Sequence, residues 1–200
     1  MTKEQEILIA AEEEFFRSGY DAASTAVIAK NAGVTHAMVN YYYRSKERIF
    51  LKLLDSSIEQ LLERIKPLMK ADGDFVELSS ETALALYDFF LTKRKLPFLL
   101  LDLARTHPEF LRHYREAVAT VCAESIRRHS AYLREQIQNG KVAECTVNDI
   151  FDTVISLALS PFLNMPMLEN VLGLSPQQIE DYLAAHRAEM PRIIRSRYLR

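Results

Sequence analysis

The chain has 200 residues, enough for one large or two small domains around a hydrophobic core. Apolar residues supply 48% of it and no long stretch is low-complexity, so a disordered chain is excluded and a globular one expected. The net charge of −2 excludes nucleic-acid binding through an overall positive field; any such contact has to come from a local patch.

The N-terminal residues Met1 to Glu6 are polar and acidic and run straight into a helix expected over 3–18, so no signal peptide is expected. That helix carries Glu4, Glu6, Glu12, Glu13 and Glu14 and ends in Phe15-Phe16, shortly before Gly19-Tyr20. Ser24 can cap a second helix over 24–31, with Val27 and Ile28 facing inward and small Ala29 and Ala32 letting a neighbour approach. Gly33 ends it, because the residue past a helix end often takes left-handed angles that glycine adopts without a Cβ clash. Thr35 opens a third helix over 35–41, with Val34 and Val39 on its buried side and His36, Ala37, Asn40 and Tyr41 facing out. Two short helices hinged at a glycine are a helix-turn-helix, the layout that places a recognition helix in a DNA major groove. Lys30, Arg44, Lys46 and Arg48, set against Glu47, provide the local basic patch.

Further helices are expected over 46–69, 75–94, 97–105, 108–138, 149–163 and 176–198. Asp74 with Glu77, and Ser175 with Gln178, have capping-box spacing, and Pro108 and Pro176 suit first-turn positions. No strand alternation competes, so the fold class is all-α. The expected organisation is a three-helix head at about 1–45 and a larger helical-bundle body at about 46–200, joined by the long fourth helix without a flexible linker. Ile150 to Leu168 is strongly apolar but interrupted by Asp152, Pro161, Asn164 and Pro166, whereas a membrane span needs about 20 uninterrupted apolar residues. A buried helix pair is expected there instead. Its apolar residues surround most of the helix, so one side can face the core and the other an identical subunit; Val154, Leu157, Leu159 and Phe162 are the expected dimer contacts. A central core helix in a monomer is the competing reading. Phe89, Phe98, Tyr114 and Phe151, with Asp102 and Arg105 as polar anchors, can line a cavity for a small molecule. Plain core packing competes here too, and Arg105 and His107 can equally complement a helix end. Basic residues from Arg187 to Arg200 suit the dipole of the last helix.

Cys122 and Cys145 lack a C-x-x-C spacing and are expected to be reduced, cytosolic thiols. The hydrolase, zinc-protease, P-loop and dinucleotide motifs are missing, and no two histidines lie four residues apart. No catalytic site, metal site or cofactor is therefore expected.

From Ile7 to about Leu54 the chain resembles the TetR family of bacterial transcription regulators, through Phe15-Phe16, Gly19-Tyr20, Ile28-Ala29, Ala32-Gly33-Val34-Thr35 and Ser45-Lys46-Glu47 in that order. The body also resembles such proteins loosely, at Leu96-Pro97-Phe98, Thr106-His107-Pro108-Glu109 and Phe162 to Pro166, which bears on architecture and not on ligand identity. The resemblance implies a cytoplasmic, non-enzymatic, homodimeric repressor that leaves a palindromic double-stranded DNA operator when a small-molecule effector occupies its body. It implies DNA contacts from Ser24, Thr25, Thr35, His36, Ala37, Asn40, Tyr41, Tyr42 and Lys46, with the Lys46 amine meeting a phosphate. Val39-Asn40 stands where the family usually has Leu-Tyr, and Tyr43 replaces a family aromatic that packs into the head. Asn40 can read adenine N6 and N7 in bidentate fashion or touch the backbone. A helical small-molecule binder without specific DNA recognition is the alternative.

Overall fold

A computed structural model describes all residues, 1–200, as eleven helices with no strand beyond one isolated bridge, Val142 to Leu199. They are α1 (Lys3–Ala22), α2 (Thr25–Asn31), α3 (His36–Tyr43), α4 (Lys46–Lys70), α5 (Phe75–Thr92), α6 (Leu96–Thr106), α7 (Pro108–Arg112), α8 (Arg115–Gln138), α9 (Val147–Leu163), α10 (Met165–Asn170) and α11 (Pro176–Tyr198). Two compact units share the chain: Met1–Gln60 with Leu99–Leu111, and Leu61–Phe98 with Arg112–Arg200. Both α4 and α6 therefore contribute residues to each unit.

In the first unit α1 continues past the expected end, but Gly19 sits at φ 73° and kinks it, so the regular helix does stop near Ser18. Ile7, Ala11, Phe15, Ile28, Val39, Ile49 and Phe50 bury the apolar faces of the first four helices. Leu103 and Phe110, distant in sequence, are buried in the same unit. Ser24 does occupy the N-cap position of α2 but makes no side-chain cap bond. Buried Glu14 takes over: its carboxylate accepts the Ser24 amide at 3.2 Å and pairs with Arg17. A carboxylate near a helix N-terminus also meets the positive end of the helix dipole.

In the second unit α5 packs against both α9 and α11. Tyr87 is fully buried there, donates to the Leu183 carbonyl at 2.8 Å, and has its hydroxyl pKa pushed up to about 12 by burial. Arg187 bonds Asp88 at 2.6 Å and Arg195 bonds Glu77 at 2.7 Å, so much of the basic surface of α11 is paired within the body. Pro161 lies inside α9, in keeping with the helix expected over 149–163. Its missing amide deprives the Leu157 carbonyl of its usual partner, and His186 Nε2 from α11 supplies a bond at 2.8 Å instead. The single helix expected over 108–138 is in fact two, α7 and α8, separated at His113 and Tyr114. Phe110 packs in the first unit whereas α8 belongs to the second, and that tertiary demand overrides the continuous helical pattern. Val147–Asn170 is long and apolar enough to cross a membrane by length and composition alone, yet it forms two helices, and α9 is rooted in the core through Ile150, Val154, Ala158 and Phe162.

Candidate DNA interface and ligand site

Thr35 caps α3 by accepting the Met38 amide at 3.3 Å, and the opposite end closes with Arg44 at φ 61°, its amide donated to Asn40 O. A positive φ is uncommon for a residue with a Cβ, so this end is held by what surrounds it. Val39 and Tyr43 root the helix. The Tyr43 hydroxyl donates to the Glu4 carbonyl at 3.3 Å, and burial followed by the Glu4 charge raises its pKa. With those residues turned inward, Thr35, His36, Ala37, Asn40, Tyr41 and Tyr42 are exposed, Tyr41 at 82%. Thr25 Oγ1 lies 3.0 Å from His36 Nε2 and joins the start of α2 to the start of α3. Ser24 and Thr25 are half-buried.

Lys46, expected to meet a phosphate, is engaged within the head in the free protein. Its ammonium donates to the carbonyls of Asp21 at 2.9 Å and Ala23 at 3.3 Å, and lies 4.8 Å from the centre of the Tyr20 ring. These carbonyls end α1, where a helix is short of hydrogen-bond donors and carries partial negative charge. The amine is thus a clamp within the head, and Lys30, Arg44 and Arg48 are the exposed cations beside α3.

The aromatic joint around the Tyr20 ring has little local signature. Tyr20 packs among Phe15, Phe50, His107 and Phe110, with ring centres 4.8 to 6.2 Å away. His107 Nε2 lies 2.8 Å from Asp21 and Nδ1 lies 3.1 Å from Glu109. Both neighbours are acceptors, so both bonds are made only by the imidazolium, and the bond to Asp21, then that to Glu109, raises the His107 pKa. A histidine immediately before Pro108-Glu109 was the available signal, but nothing local to it names Asp21 as a partner.

The side chains expected to hold a ligand are dispersed. Phe89 is buried against Phe90, with the Arg64 guanidinium 5.5 Å from its ring. Phe98 is 52% exposed, and Asp102 and Arg105 bond each other at 3.1 Å on the surface of α6. Tyr114 is buried at the start of α8, and Phe151 meets Phe75 with ring centres 6.2 Å apart. The body instead has an open groove of about 360 Å³ between the end of α4 and the start of α8, lined by residues that include Lys66, Lys70, Ala117, Thr120, Val121 and Glu124.

The expected dimer contacts divide in two. Val154 and Phe162, at 4% and 1% exposure, are spent in the chain's own core and leave little surface for a partner. Leu157 and Leu159 are half-buried, and the side of α9 open to solvent carries Asp152, Ile155 and Ser156. Even spacing around a helix cannot tell which apolar residues face its own core, and Ile155, passed over in the expected set, is the exposed large one.

Residues 7–53 match the family described as bacterial regulatory proteins, tetR family. The chain is similar to the HTH-type transcriptional activator FasR of Mycolicibacterium smegmatis, 29% identical over 84 residues, 42% of this chain and 38% of that protein. It spans well under half the length of that relative. It is also similar to the fatty acid metabolism regulator protein of Bacillus subtilis, 25% identical over 166 residues, 79% of this chain and 84% of that one. Among solved structures, the transcriptional regulator FadR from Bacillus subtilis in complex with stearoyl-CoA superposes with a TM-score of 0.59 at 20% identity, covering 95% of this chain and 96% of that one, a likeness of fold. The match falls on the head whose third helix turns its polar face outward, so residues 7–53 are similar to the DNA-binding head of the tetR family of bacterial regulatory proteins.

Proposed function

We propose that the protein is a cytoplasmic homodimeric repressor that holds a palindromic operator and releases it when a small molecule of long-chain acyl type occupies the body. The exposed face of α3 carries the reading: His36, Ala37, Asn40 and Tyr41 project from a helix that Val39 and Tyr43 root on the other side. These four meet bases, with Tyr42 beside them, while Ser24, Thr25, Thr35, Lys30, Arg44 and Arg48 meet phosphates. The family is one of regulators rather than enzymes, and no catalytic role is assigned to any residue. Subunits pair through the open face of α9, at Ile155, Leu157 and Leu159, and through the neighbouring face of α11, where Ala184, Ala185, Ala188 and Ile193 are exposed.

The acyl class rests on the relatives, of which one is a fatty acid metabolism regulator and another was solved with stearoyl-CoA. Because α4 and α6 each run from one unit into the other, a ligand that favours one disposition of the body biases the heads through them. Half-sites lie about 34–36 Å apart, so a few ångströms of head displacement spoils the match. Gel shift of the chain on the DNA upstream of its own coding region tests the reading. A discrete complex that palmitoyl-CoA dissolves is expected; binding no tighter than to unrelated DNA overturns the operator assignment.

A further inference from the structure

The hydrogen bond between Thr25 Oγ1 and His36 Nε2, 3.0 Å long, joins two side chains with different duties on DNA. Thr25 is the first residue of α2 and His36 the first of α3, so the bond spans the turn between the two helices. His36 is exposed, and its Nδ1 has no partner within the chain. A threonine hydroxyl has one proton to give, and a neutral imidazole has one N–H and one bare nitrogen. The bond made at one ring nitrogen decides which of the two carries the proton. In the free protein either the oxygen or the nitrogen can donate. A phosphate removes that freedom, because its oxygens only accept. Once Thr25 gives its single proton to a phosphate, Oγ1 can only accept from His36, so Nε2 carries the imidazole proton. Nδ1 is then a bare acceptor.

We infer that Thr25 is a positioning residue that makes His36 a reader of an exocyclic base amine in the major groove, that of cytosine or adenine. Residues at the N-terminal end of a recognition helix contact base edges. Guanine presents the acceptors N7 and O6 there, and thymine presents O4 beside its methyl group, so an acceptor nitrogen is repelled by both. Cytosine presents the N4 donor alone, which matches a nitrogen with one lone pair, and adenine presents its N6 donor next to the N7 acceptor. Asn40, four residues further along α3 and exposed, carries both a donor and an acceptor and suits the paired groups of adenine. The two side chains therefore divide the selection of bases between them. Without the Thr25 bond the neutral ring can move its proton to Nδ1 and donate to guanine as well, and the discrimination is lost. This role rests on the proposed binding of an operator by α3, and it adds which base group His36 selects and what makes it select.

Binding-site selection from a pool of randomised palindromic duplexes, with the full-length protein at about pH 8 to keep imidazole neutral, compares wild type with His36→Ala, Thr25→Val and Thr25→Ser. Wild type should select cytosine or adenine at one position of each half-site by about three- to ten-fold over guanine and thymine, the range of one neutral hydrogen bond, and the selected base identifies the amine. His36→Ala should abolish the preference at that position alone. Thr25→Val keeps the side-chain volume and loses the hydroxyl; it should relax the same position to within about two-fold while weakening binding to every sequence. Thr25→Ser should restore the preference. A threonine that only holds a phosphate or packs the turn lowers affinity without changing which base is chosen. NMR of the ring nitrogens in the wild-type complex with its selected duplex should show Nε2 of His36 protonated and Nδ1 bare. The assignment is overturned if Nδ1 carries a proton in that complex, if the position relaxed by His36→Ala selects guanine or thymine, or if Thr25→Val keeps the wild-type preference. Wild type that selects no sequence overturns it together with the operator reading, whereas a selected palindrome unchanged at every position by Thr25→Val and His36→Ala overturns it alone.

Discussion

Replacing Lys46 by methionine keeps most of the side-chain volume and removes the charge, which separates a clamp from a phosphate contact. In the free protein the ammonium bonds the Asp21 and Ala23 carbonyls and sits over Tyr20. Hydrogen bonds from charged groups in folded proteins contribute about 1.5–3 kcal/mol each. Lys46 is only half-buried, and carbonyls released at the surface can turn to water, so the two bonds together should contribute about 1–2 kcal/mol, with about 0.5 kcal/mol more from the ring. In a small unit each kcal/mol moves the midpoint by about 4–8 °C, so melting of the head should fall by about 6–20 °C. The assay is thermal unfolding without DNA, paired with operator affinity measured across a salt series. A clamp predicts the lower melting point with the salt slope kept. A phosphate contact predicts an unchanged melting point and a slope reduced by about 0.9 per half-site, and that pair of results would refute the assignment.

Ile155→Asp should split the dimer while leaving helix content intact, whereas Val154→Asp, one residue away but turned into the core, should unfold the body at a cost of several kcal/mol; sedimentation and circular dichroism distinguish the two. The His107 bonds stabilise the folded head fully below the histidine's unfolded pKa of about 6.5 and lose that contribution as pH rises through the raised folded value, so His107→Gln should flatten the alkaline side of a melting-versus-pH curve. His129 acts in the opposite sense: its folded pKa is lowered, so stability is lost as pH falls below about 6.5 toward that value, and His129→Leu should protect the acid side. Asn40→Ala should change base preference at one operator position by about 1–3 kcal/mol in selected-site binding, while Arg48→Ala weakens all sequences alike.

Local signals in the chain were enough for the helices of the head, because their ends are written in short-range chemistry. Thr35 in the head, and Asp74 and Ser175 in the body, each cap the helix they precede, and Gly33 takes the left-handed turn that its position requires; the Thr146 cap, which starts α9 at Val147, was missed. The outward face of α3 was legible for the same reason, since Val39 fixes the rotation of so short a helix. What was not legible depends on partners remote in sequence. The Ser24 cap was replaced by Glu14, ten residues earlier, and the Lys46 amine turned back to carbonyls more than twenty residues away. Aromatic residues at helical spacing look the same in a core as in a cavity, so Phe89 and Phe151 could be named without their roles being known.

The inclusion of Leu99–Leu111 in the first unit bears on the order in which the protein matures during synthesis. Phe15, Tyr20 and Phe50 leave the ribosome early, but Phe110, which packs against both Tyr20 and Phe50, follows about sixty residues behind the last of them. Until it arrives the nascent head keeps an aromatic surface uncovered, the kind of surface that holds chaperones or invites aggregation. The DNA-binding half of the chain is thus completed only after part of the body has been translated, which couples competence for DNA to synthesis of the regulatory half.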